Sequence, residues 1–95
     1  MPANDSITLF DLPTGERATV LTITGIAPDS DDDHGLALRL FEIGFVEGEP
    51  VRVVARGFPG GEPVAVRVGG TMFALRRFEA ERVLVSRMRA GEAGR

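Results

Sequence analysis

Between Arg39 and Val53 the chain has to end a helix, turn twice and launch a strand. Arg39-Leu40-Phe41-Glu42-Ile43 carries helical spacing, glycines follow at Gly44 and Gly48, and Val51-Arg52-Val53 alternates as strands do. Gly44 stands where a helix hands over to a residue of positive φ, a conformation that a Cβ disfavours. Gly48 frees the second turn before the β-rich run. Two elements of different type are therefore joined by a short corner that glycine defines.

The flanking pattern supplies the remaining elements. From Arg17 to Thr24, Ala18, Val20, Thr22 and Thr24 alternate with Thr19, Leu21 and Ile23, which predicts a strand. Residues 25–33 hold glycine, proline and four aspartates, which is loop chemistry, and Asp32 or Asp33 is placed to accept from the free N–H groups of a helix over 34–43. Leu36, Leu40 and Ile43 make its core stripe with Ala37 on the flank, while Leu38 and Phe41 lie farther round. These apolar positions sweep about 220°, roughly twice what one-sided burial requires, so the helix is covered on two sides or carries a docking surface.

Strands are predicted at Val51–Arg56 and Val64–Val68, joined by Gly57-Phe58-Pro59-Gly60-Gly61-Glu62-Pro63, whose prolines and glycines forbid regular pairing. Val68-Gly69-Gly70-Thr71 reads as a two-residue hairpin needing positive φ at both centres. Its register sets Val66 against Phe73 and Val64 against Leu75 on the inner surface, pairs Arg67 with Met72 outside, and joins Ala65 to Ala74. A turn around Phe78 to Glu81 leads to a last strand, Val83–Val85. The expected fold is mainly β: a small, partly open barrel of about five strands, with one α-helix inserted after the first strand and a short helical turn before the last. Residues 1–6 and 87–95 read as flexible ends around a domain at 7–86, with mobility beginning near Ser86.

Composition narrows the function. With 95 residues, 43% hydrophobic and 26% charged, the chain is one domain that should fold alone. It has no cysteine, which removes disulfides and thiolate metal sites. Its longest charge-free stretch, Ala18 to Pro28, is far below the ~18 apolar residues of a membrane span, and Met1 to Ser6 lacks the pattern of a signal peptide. The chain is thus expected to be neither secreted nor integral to a membrane. Net charge is −3, and all eleven basic residues are arginines that appear scattered among acids, so attraction to nucleic acid should be weak.

No glycine-rich loop precedes a lysine, the chain has a single histidine, and no serine sits in a nucleophile elbow, so enzyme chemistry is not expected. Asp29, Asp31, Asp32 and Asp33 read first as a solvated loop that caps the helix. Asp32, Asp33 and His34 also form a candidate metal site, incomplete in one chain, which two chains could share. Protein contact is the better use of the helix surface. Leu38, Phe41 and Phe45 make an apolar set beside Arg39 and Glu42, although Phe41 and Phe45 could instead fill the far end of the barrel. Of Arg76 and Arg77, one should point outward toward an acidic partner and the other should bond Glu79 or Glu81.

Three segments carry a resemblance: Leu9-Phe10-Asp11-Leu12-Pro13-Thr14-Gly15-Glu16, the Arg39–Val53 corner, and Thr71 to Val85. In their order and spacing they resemble FeoA, the small partner of the bacterial ferrous iron transporter FeoB. The resemblance implies an SH3-like barrel and a cytoplasmic, non-enzymatic accessory protein that docks on the cytosolic GTP-binding region of FeoB. It implies contact with the membrane only through FeoB, no required cofactor, at most weak Fe(II) or Zn(II) binding, and compatibility with a homodimer. A second reading is a metal-responsive regulatory module, since repressors of the diphtheria toxin repressor type carry a similar SH3-like domain, although no helix-turn-helix is expected within these 95 residues.

Overall fold

The computed structural model describes residues 6–87. Strand β1 (Ser6–Thr8) runs into a 3-10 turn (Leu9–Asp11), and β2 (Arg17–Ile23) is followed by helix α1 (Asp31–Ile43). Strands β3 (Pro50–Arg56), β4 (Val64–Val68) and β5 (Thr71–Leu75) come next, then the one-turn α2 (Arg77–Ala80) and β6 (Val83–Arg87). The fold is mainly β as expected, but the sheet has six antiparallel strands in the order β1-β6-β2-β3-β4-β5. The strand missed in the sequence is β1, whose three residues are too short to show alternation.

Register shifts between Val20 and Thr22 and between Val53 and Ala55 mark β-bulges, which bend strands and increase twist, so the sheet curls around one core. Its inner face supplies Ala18, Val20, Val51, Val53, Val64, Val66, Val68 and Leu75, and Leu40 of α1 is buried with them. Leu36 and Ile43 pack against the same cluster, as their stripe predicted. The β4–β5 hairpin has the register read from the sequence, and Gly69 and Gly70 sit at φ 59° and 81°, where a Cβ would be strained.

Helix α1 begins at Asp31 rather than near residue 34, because Ser30 is its N-cap: the Ser30 hydroxyl accepts from the Asp33 N–H at 3.1 Å. Asp31, Asp32 and Asp33 then occupy the first turn, where carboxylates complement the helix dipole. Gly44 closes the helix at φ 128°, donating to the carbonyls of Leu40 and Phe41, and the Gly48 N–H donates to Val20 O at 2.8 Å, tying the corner to β2.

The chain ends need correction. Ser6 belongs to β1, and β6 continues through Ser86 to Arg87, whose guanidinium bonds Glu16 at 2.9 Å. The rest of the expected flexible ends, residues 1–5 and 88–95, lies outside the described residues.

Arginines that looked scattered are partly gathered by strand pairing. Arg17 faces Arg52, and Arg52 faces Arg67, so three cations stand in a row on the outer surface of β2, β3 and β4. Among the described residues no helix is long and apolar enough to cross a membrane.

Candidate protein-docking site on helix α1

One face of α1 enters the core and the other meets solvent. Leu40 is fully buried, whereas Leu38 and Phe41 are each 58% exposed. The wide apolar sweep of the helix is therefore left uncovered by the described residues of the chain itself. Phe78 of α2, 55% exposed, was not singled out in the sequence, and it is a further large apolar side chain left open to solvent.

An ion pair brings α2 to α1. Glu79 is buried, and its carboxylate pairs with the Arg39 guanidinium at 2.9 Å and accepts from the Arg76 N–H at 2.8 Å. A carboxylate in that position has to be satisfied, so Arg39 is a structural clasp as well as part of the rim of the patch. A sequence signal for this was available in retrospect, since Glu79 stands three residues after Arg76, the N-cap of α2, where a carboxylate reaches back to the first free N–H.

Phe45 does not join the surface. It is 1% exposed and lies in the core, because Gly44 reverses the chain and the Phe45 N–H returns to Leu40 O at 3.1 Å, directing the ring inward. Arg76 is exposed. Arg77 takes the other expected part: its Nε donates to Glu81 at 2.8 Å, and that hydrogen bond and charge hold the guanidinium above its ordinary pKa.

The candidate metal donors are occupied in holding the helix start. Asp33 Oδ2 accepts from the Ala27 N–H at 2.9 Å, and His34 Nε2 donates to Pro28 O at 2.8 Å. Both side chains fold the 27–30 loop onto the first turn of α1, while Asp32 points to solvent without closing a site. Among the described residues no group of three or more His, Cys, Asp or Glu side chains could hold a metal ion.

Comparison with known proteins agrees with this architecture. A family model described as the FeoA domain matches residues 7–87. The crystal structure of Stenotrophomonas maltophilia FeoA complexed with zinc, described as a procaryotic SH3 domain protein, is 44% identical over 90% of this chain and 93% of that chain, with a TM-score of 0.70. The solution structure of Chlorobium tepidum FeoA is 30% identical, covering 87% of this chain and 71% of that one, with a TM-score of 0.69. A manganese-dependent transcriptional repressor shares the fold alone, at 22% identity over 86% of this chain and 41% of its own, with a TM-score of 0.69. No curated protein matches the chain.

Proposed function

The chain belongs to the FeoA family, and from that premise we propose that it is a non-enzymatic accessory protein of ferrous iron uptake that docks through α1 on the cytosolic, GTP-binding part of FeoB. The observation that carries this reading is the exposure of Leu38 and Phe41 on a helix whose opposite side is fixed in the core. A large apolar side chain held rigidly in water gains about 1.5–3 kcal/mol when a partner covers it, and rigid anchors lose little entropy on binding. Arg39 and Glu42 supply a charged rim, and Arg76 stands at the entry to the neighbouring turn.

The relative from Stenotrophomonas is discussed as a candidate ferrous iron transport activating factor, which supports a role in activating transport. Docking would work by binding one state of the transporter better than another, since a ligand shifts an equilibrium only by its differential affinity. The protein would then act at the cytoplasmic side of the membrane. Metal regulation is the second reading, favoured by the zinc complex of that relative and by the fold shared with a manganese-dependent repressor. The local bonding of His34 and Asp33 argues for the docking role.

Pull-down by purified cytosolic FeoB tests the proposal. Wild type should be retained, and Leu38→Asp should not be, with its thermal unfolding unchanged. Retention of Leu38→Asp at wild-type level would remove the α1 patch from the account.

A further inference from the structure

On the sheet surface that faces away from the core, strand pairing builds a row that local sequence does not display. Arg17, Arg52, Arg67 and Met72 occupy successive facing positions across β2, β3, β4 and β5. All four are exposed. Like charges directly opposite one another in a sheet are destabilising, and none of the three arginines has an ion-pair partner among the described residues. They line an open groove of about 400 Å³ with the Gly69–Gly70 turn, and Glu49 is the one acid on its wall. Three facing cations with one acid beside them and no ion pair among the described residues make a surface with charge left to be completed from outside.

We infer that this row is a second docking surface, and that it takes an acidic amphipathic α-helix of a partner protein with carboxylates at i, i+4 and i+7 and an apolar side chain one turn further on. The spacing selects the helix. Neighbouring strands lie about 4.8 Å apart, so three facing arginines span roughly 9.6 Å. Carboxylates at i, i+4 and i+7 of a helix span roughly 10.5 Å at 1.5 Å per residue, a mismatch that arginine side chains absorb. Three carboxylates on one face of an extended strand would span roughly 13 Å and fall out of step. Met72 continues the row as a pliable apolar contact, which suits a polypeptide better than a bare phosphate chain. Guanidinium forks also pair with carboxylates in bidentate fashion.

A second copy of this chain fits less well. The acids of its long helix are consecutive at Asp31, Asp32 and Asp33, followed only by Glu42, so α1 lacks the required spacing. The surface differs from the α1 patch in both chemistry and location: Arg52 and Arg67 alternate with the inward-facing Val51, Val53, Val66 and Val68.

The test uses the full chain and a fluorescein-labelled, alanine-rich helical peptide of about 18 residues, ~27 Å long, with Glu at i, i+4 and i+7 and Leu one turn beyond. A peptide of identical composition with its Glu residues distributed round the helix is the control, and a short DNA duplex is the competing ligand. Fluorescence anisotropy should show the patterned peptide binding about tenfold tighter than its control, and Arg52→Gln should weaken it about tenfold, an effect that fades with added salt. Arg67→Gln carries the same expectation if Arg52→Gln fails to fold. Equal binding of the two peptides, absence of binding, or tighter binding of the duplex would overturn the inference. So would a wild-type dimer, seen by sedimentation, that Arg52→Gln dissociates, because it would assign the face to a second copy.

Discussion

The exposed side of α1 and the arginine row on the sheet are built by opposite rules. Along α1 the surface is local: Leu38 and Phe41 are three residues apart, and helical geometry alone sets them on neighbouring turns. Across the sheet it is assembled from positions 17, 52 and 67, which meet only because three strands pair in one register. One surface offers apolar area at little electrostatic cost, while the other stores mutual repulsion among like charges. A helix face of this kind tolerates change in the rest of the chain, but a cross-strand row vanishes if any one strand slips by a residue.

The sharpest way to break this contrast is to compare the two sides of α1. Leu40→Ala should cost about 2–5 kcal/mol in urea unfolding, since it empties a fully buried site, whereas Leu38→Asp should stay within about 0.5 kcal/mol of wild type. Equal losses would mean that both sides of the helix are structural. Next in size, Arg39→Ala leaves the buried Glu79 carboxylate with one backbone donor. A loss of about 1–2 kcal/mol is expected, below that of a fully buried pair because the Arg39 side chain is 61% exposed. No measurable change in the melt would reduce Arg39 to a rim residue.

On the sheet the sign reverses. Arg52→Gln should raise stability by about 0.2–1 kcal/mol at low ionic strength, with the gain shrinking as salt screens the row. A loss instead would show that the arginines are already compensated within the chain. The smallest effect is expected at His34→Ala, at most about 0.5 kcal/mol for one exposed loop bond. Calorimetric titration with Fe(II) and Zn(II) should give the same heats for wild type and His34→Ala, and a heat lost in the variant would restore His34 as a metal ligand.

What could be read from the sequence follows the same division. The β4–β5 hairpin was legible to the residue because Gly69-Gly70 fixes both turn and register. The core stripe of α1 was legible because its period is regular. Strand β1 was not, since three residues carry no periodicity and its place beside β6 depends on a contact with the far end of the chain. The start of α1 was misplaced because several capping residues stand in a run, and Ser30 rather than an aspartate wins the position when Asp33 is drawn to the Ala27 N–H. Of the candidate site, the exposure of Leu38 and Phe41 was legible from angular position alone, while Phe45 stayed open between surface and barrel end because the direction of a side chain after a reversing glycine is set by the turn. The exposure of Phe78 and the pairing of Glu79 with Arg39 came to light only when α2 was placed beside α1.

Phe10, in the 3-10 turn after β1, has two guanidinium groups over its ring, Arg56 at 5.1 Å and Arg77 at 4.8 Å from the ring centre. Strand β1 is one margin of the sheet and β5, which leads into Arg77, is the other. Arg56 also donates to the carbonyls of Phe10 and Leu12, so the turn after β1 is fastened by arginine side chains instead of a ladder of main-chain bonds. Such a fastening can part and reclose while the rest of the molecule stays folded. The margins should therefore breathe ahead of the centre, with amides of β1 and β5 trading deuterium sooner than those of β2 and β3.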